Sequence, residues 1–181
     1  LEFSGPGVPA IANHPYVVFG PPGTGKTTVL TEYILQVLRW AKVTGTSSRV
    51  LVTAPSNWAA DNIASKLLES MHGGKADGDG GLLRANAASR DPNGVPEDVL
   101  GISILSPDGK KFRRPNWNEI TGAKVLVTTC MNGANLRKKY GNLCLQHGTF
   151  THCVVDEAGQ ATEPETLCSV CLLYTSDAAD D

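Results

Sequence analysis

Hydrophobic positions in this chain follow two alternating rhythms. Tyr16-Val17-Val18-Phe19 is a short apolar run ending in Gly20-Pro21-Pro22-Gly23, which predicts a buried strand feeding a glycine loop. From Lys26 to Trp40, Leu30, Tyr33, Ile34, Val37 and Leu38 recur at helical spacing. After a polar turn, Arg49 to Ala54 predicts a second strand, stopped by Pro55. Trp58 to Met71 then predicts a helix with Ile63, Leu67 and Leu68 on one face and Ser56 or Asn57 as its N-cap. The glycine-rich stretch from His72 to Gly81 predicts a loop, and Leu82-Leu83-Arg84 a short strand. No period persists from Asn86 to Gly122, where prolines recur. This reads as a surface insertion, spanning about residues 72–122 in all, that carries some local order. Ala123 to Thr129 and Cys153 to Asp156 predict two more strands, with a helix starting near Ala161. Strands alternating with helices predict an α/β fold: a parallel sheet covered on both faces.

Composition narrows the classes. The 181 residues carry 16 basic and 18 acidic side chains, for a net charge of -2. This length fits one domain of about 100–200 residues, and the near-neutral balance argues against a strongly basic nucleic-acid binder on average. Charged residues make up 19%, too few for a highly charged disordered chain. No apolar run reaches the roughly 18 residues of a membrane span. Neither a signal-peptide pattern nor an initiator Met stands at the start, so the chain is expected to begin inside its gene. Five cysteines without a secretion signal suggest reduced thiols in the cytosol or nucleus. Cys168 and Cys171 form a C-x-x-C without the second half of a zinc site. The last segment, residues 171–181, resembles the translation of a sequencing adapter. On that reading the natural sequence departs from this one after Val170, and the tail is set aside from the fold. Without its three aspartates the acidic count falls to 15.

Chemistry concentrates at two places. Gly20, Pro21, Pro22, Gly23, Thr24, Gly25, Lys26 and Thr27, followed by Thr28, match G-x-x-x-x-G-K-[ST] between a predicted strand and a predicted helix. Glycines let the backbone wrap a phosphate so that successive N–H groups face it. Lys26 then reaches the β- and γ-phosphates, and the Thr27 hydroxyl ligates Mg²⁺. The second place is the acidic end of Cys153-Val154-Val155-Asp156-Glu157. Asp156 there suits the metal and Glu157 suits a general base acting on water. Two acids fit hydrolysis better than simple transfer.

These motifs form one ordered set with A-P-S-N-x-A-A-D at Ala54 to Asp61, V-L-V-T-T at Val125 to Thr129 and V-V-D-E-A-G-Q-A-T-E-P-E at Val154 to Glu165. The set resembles the first RecA-like domain of superfamily 1B, Upf-like RNA helicases. It is most similar to the Moloney leukaemia virus 10 and Armitage group of RNA silencing, with S-R-D-P-N-G-V-P-E-D at Ser89 to Asp98 as a further match. The resemblance implies a P-loop NTPase fold over residues 1–170, using ATP and Mg²⁺, with Lys26 and Glu157 catalytic. It implies RNA-backbone contacts at Pro55, Ser56, Asn57, Thr128 and Thr129, and places Gln160 near the nucleotide or the neighbouring motif. It implies single-stranded RNA, or a duplex with an overhang, as substrate, 5′-to-3′ movement, RNA-silencing partners and a cytoplasmic setting, including ribonucleoprotein granules. A second RecA-like domain with arginine fingers would lie beyond this chain. The fragment alone is therefore expected to bind phosphate but hydrolyse ATP negligibly. One departure stands out: residues 1–19 contain no Gln, so the family's upstream adenine-reading glutamine motif is missing.

Charge along the chain adds to this. Residues 106–139 hold eight basic side chains against Asp108 and Glu119. Such a segment can track an RNA backbone, or simply be a solvated surface. Trp117 within it is read as half-buried rather than as a base-stacking platform. Two other readings fit the phosphate loop alone: a AAA-type remodeller, or a non-catalytic nucleotide-dependent binding module. The A-P-S-N-x-A-A-D block separates the helicase from the remodeller.

Overall fold

The computed structural model describes residues 16–73 and 81–170, with the side chains of residues 72, 73 and 145 not described. The adapter-like tail, including Cys171 of the C-x-x-C, and most of the glycine-rich stretch therefore lie outside the described residues. In chain order the elements are α1 (Lys26–Thr44), β1 (Val50–Ala54), α2 (Asn57–Gly73), β2 (Leu82–Arg84), α3 (Glu97–Gly101), α4 (Trp117–Gly122), β3 (Val125–Thr129), α5 (Cys130–Gln146), β4 (His152–Val155) and α6 (Glu163–Val170). Short 3₁₀ turns cover Pro92–Gly94 and Ala158–Gln160.

The four strands form one parallel sheet in the order β2-β3-β1-β4. In the centre, Val52 of β1 lies between Val127 and Val154. β1 is buried along its whole length, as a strand covered on both faces must be. On one face Val50, Val52, Val125, Val127 and Val154 pack against Ile34 and Val37 of α1 and Ile63 and Leu67 of α2. On the other, Leu51 and Leu126 pack with Ile120 of α4, Leu136, Tyr140 and Cys144 of α5, and Phe150. Period-two alternation thus feeds two separate cores, each fully buried aliphatic side chain contributing about 1.5–3 kcal/mol.

Helix ends follow local chemistry. Ser56 is the N-cap of α2, its Oγ accepting from the Ala59 N–H at 3.1 Å. Gly45 ends α1 in the left-handed region, its N–H returning to the Ala41 carbonyl. Asn116 and Glu119 form a reciprocal capping box at the start of α4.

Three expectations need correction. Tyr16–Phe19 forms no strand, and Tyr16, Val17 and Phe19 are exposed. An apolar run becomes a strand only with a neighbour to take its backbone hydrogen bonds. Among the described residues β4 pairs only with β1, and this run pairs with nothing. Second, the stretch around 82–122 does not merely lie on the surface. β2 extends the sheet, and Val95, Val99, Phe112 and Ile120 are core residues. Isolated bridges Arg84–Ser103 and Leu105–Phe112 order the rest. Third, no helix is expected between Thr129 and Cys153, yet α5 runs for 17 residues from Cys130. Its buried stripe of Leu136, Tyr140 and Cys144 is narrow and interrupted by glycine and by polar residues.

Candidate functional site

The glycine loop leads directly into α1. Gly23 and Gly25 take φ of 79° and 89°, a left-handed conformation that strains any residue with a Cβ. Gly20 is needed for a different reason: a Cβ there would stand 2.6 Å from Thr24 Oγ1. Thr24 closes the loop by donating to the Pro21 carbonyl at 2.8 Å. Lys26 turns back over it, its Nζ donating to the Gly20 and Pro21 carbonyls at 2.8 and 2.9 Å. Pro22 and Thr28 are exposed beside them.

The loop meets the acidic strand end. Thr27 Oγ1 donates to Asp156 Oδ2 at 3.2 Å across 129 residues of sequence. Asp156 is 3% exposed, and its other oxygen accepts from the Glu157 N–H at 3.0 Å. A hydroxyl and a carboxylate oxygen held together suit a hard divalent cation. Among the described residues no cluster of three acidic, His or Cys side chains competes for a metal. Glu157 follows in the left-handed region at φ 53°, the one described non-glycine residue with positive φ. Its carbonyl accepts from the Gln160 N–H at 2.8 Å, which turns Gln160 outward at the same edge.

The Asp156 N–H also donates to the Thr53 carbonyl at 2.9 Å, tying the end of β4 to β1. Two residues past Thr53 come Pro55, Ser56 and Asn57, partly to fully exposed at the start of α2. Phosphate loop, acids and this segment thus share the C-terminal edge of one parallel sheet, where ligands of open α/β sheets bind. Thr129 is half-exposed at the same edge and accepts from the Asn132 N–H at 3.3 Å. Thr128 departs from expectation: it has no exposed surface, and its hydroxyl donates to the Ala85 carbonyl at 3.0 Å while accepting from Asn132. A direct backbone contact is closed to it, because strand alternation points it inward.

A buried ion cluster that no sequence motif announces lies behind Asn57. Arg84 is fully buried, with Nε on Asp61 Oδ1 at 2.9 Å, Nη1 on the Ala85 carbonyl at 2.8 Å and Nη2 on Asn57 Oδ1 at 3.1 Å. Arg90 pairs with both Asp61 oxygens and reaches Asn86 Oδ1 at 2.7 Å. Burial pulls the Arg84 pKa down, opposed by the Asp61 carboxylate. The signal was available: Arg84 is a lone charge in an apolar strand and Asp61 a lone charge in the apolar stretch Ala59 to Ala64. The same pairing explains part of S-R-D-P, in which Arg90 joins the cluster and Asp91 caps the 3₁₀ turn by accepting from the Asn93 N–H.

Elsewhere the basic segment is part structural. Arg113 is paired with Glu119, and Lys139 sits 4.8 Å over the Tyr140 ring. Trp117 is half-buried, its ring 5.9 Å from that of Tyr140. Burial pushes the Cys153 and Cys144 thiols up to about 12 and about 11, so neither is a thiolate at neutral pH.

Sheet order, glycine loop and the coupled acid together define a P-loop nucleotide-binding domain of the RecA-like type. The chain belongs to the AAA domain family (AAA_11), whose model matches residues 9–104. It is 40% identical over 154 residues to RNA helicase Mov10l1 of Mus musculus, covering 84% of this chain and 11% of that protein. It is 32% identical to the probable RNA helicase armi of Drosophila melanogaster, over 89% of this chain and 14% of that protein. A homolog of regulator of nonsense transcripts 1 from Arabidopsis thaliana is 30% identical over 83% of this chain and 13% of its own length. The chain thus spans 11–14% of the length of these relatives.

Proposed function

We propose that this chain is most of the first nucleotide-binding lobe of an ATP-dependent RNA helicase. The observation that carries the reading is the 3.2 Å bond from Thr27 to Asp156, which brings the phosphate loop to the acidic strand end. In the proposed mechanism, loop N–H groups and the Lys26 amine bind the nucleotide phosphates. Thr27 and Asp156 would hold Mg²⁺, which when bound neutralises charge on the phosphate oxygens. Glu157 takes the proton of the attacking water. Gln160, at the same edge, stands beside the nucleotide. Ser56, Asn57 and Thr129 take the RNA backbone, and the Thr53–Asp156 hydrogen bond links that contact to the nucleotide end of the sheet.

The relatives' names support RNA as the substrate over the remodelling alternative. Single-stranded or overhanging RNA, 5′-to-3′ movement, and a cytoplasmic role in silencing or transcript turnover with silencing partners extend the same reading. No described helix is long and apolar enough to cross a membrane. Lys26→Ala in the full-length protein tests the nucleotide half. It should weaken binding of a fluorescent ATP analogue by at least about tenfold, whereas unchanged affinity contradicts the reading.

A further inference from the structure

Asn57 is exposed at the start of α2, yet one half of its amide is fixed from below. Arg84 is a pure donor, so the atom facing Nη2 at 3.1 Å must be the amide oxygen. That orientation turns the Nδ2 group away from Arg84, and among the described residues it meets no protein acceptor. An outward N–H₂ is the half of an amide that a phosphate oxygen accepts. The reverse flip would present a carbonyl oxygen to an anion.

Arg84 is itself immobilised. It is fully buried, Asp61 holds its Nε at 2.9 Å, and the Ala85 carbonyl holds Nη1 at 2.8 Å. Asp61 is in turn gripped by Arg90, which Asn86 steadies. Both guanidinium groups thus pair with the one Asp61 carboxylate behind Asn57. Arg84 meets Asp61, the Ala85 carbonyl and Asn57 through three different nitrogens, and Arg90 holds the Asp61 carboxylate in place.

We propose that Arg84, Asp61 and Arg90 are positioning residues for nucleic acid, which select the amide flip of Asn57 and present its N–H₂ group to a backbone phosphate. The proposal rests on the RNA-helicase reading above. It assigns Arg84 and Arg90 a part in RNA binding although Arg84 has no exposed surface.

The test measures affinity of the full-length protein for a labelled single-stranded oligouridylate by fluorescence anisotropy, without nucleotide. Arg84→Lys keeps the charge but cannot span Asp61, Ala85 and Asn57 at once. Alone it should weaken binding by about fivefold, as should Asn57→Ala. The double variant should bind no more weakly than Asn57→Ala, because both changes remove one contact. Multiplicative losses would overturn the proposal. Asn57→Asp supplies a measurement that leaves the buried cluster intact. Its carboxylate still meets Arg84 but turns an oxygen toward phosphate, so binding should fall below that of Asn57→Ala. Equal or better binding overturns the proposal even if the Arg84 variant does not fold. If wild-type protein does not bind the oligonucleotide, the RNA reading fails and the proposal with it. If Asn57→Ala weakens binding but Arg84→Lys does not, only the proposal fails.

Discussion

Single residues here carry strain and charge that local preference would not choose. Glu157 holds a left-handed backbone at φ 53° where glycine would rest without steric strain. Glu157→Gly should therefore raise the melting temperature, by an amount corresponding to about 1 kcal/mol, while removing the proposed base. A lower melting temperature would show that the side chain holds the turn. Asp61 is the opposite case, a residue whose loss strands a neighbour. Asp61→Ala leaves Arg84 buried without its counter-charge and should cost about 3–5 kcal/mol in urea unfolding. A loss below about 1 kcal/mol would mean that water or Asn57 compensates the arginine.

Elements form here where sequence period and end chemistry agree. Ser56→Ala removes the α2 cap and should destabilise by about 0.5–2 kcal/mol in chemical denaturation, with Ser56→Gly milder. The same agreement explains what could be read in advance. α1, α2, β1 and β3 were legible because apolar period, glycine or proline punctuation and caps coincide in them. The phosphate loop and Asp156-Glu157 were legible because their geometry follows from spacing along one strand and one loop. Tyr16–Phe19 misled because an apolar run specifies hydrophobicity, whereas a strand also needs a pairing partner. α5 was hidden by Gly133, Gly141 and a lysine-rich face that dilute its apolar stripe. The lone charges of Arg84 and Asp61 were legible, but their pairing was hidden because Arg84 and Arg90 stand 23 and 29 residues from Asp61.

At the scale of the molecule, one parallel sheet delivers both proposed binding segments to one edge. Stability of that sheet should depend on pH through His152 at the start of β4. Burial holds its pKa below the ordinary 6.5, so the unfolded chain takes up a proton that the folded chain resists. The contribution is full above about pH 6.5 and is lost as pH falls through the folded value. Urea midpoints should therefore fall between about pH 7.5 and 5.5, and His152→Phe should flatten that slope. An unchanged slope would assign the pH dependence to other groups.

On the proposed reading, Glu157 completes an RNA-responsive ATPase whose loop and acids meet through Thr27 and Asp156. The most direct measurement is phosphate release from ATP by the full-length protein, with and without single-stranded RNA, for wild type and Glu157→Gln. Wild type should show RNA-stimulated turnover, and Glu157→Gln should lose about a hundredfold or more of it with RNA binding retained. Wild-type protein that binds ATP but never turns it over, or a Glu157→Gln variant that turns over normally, would contradict it.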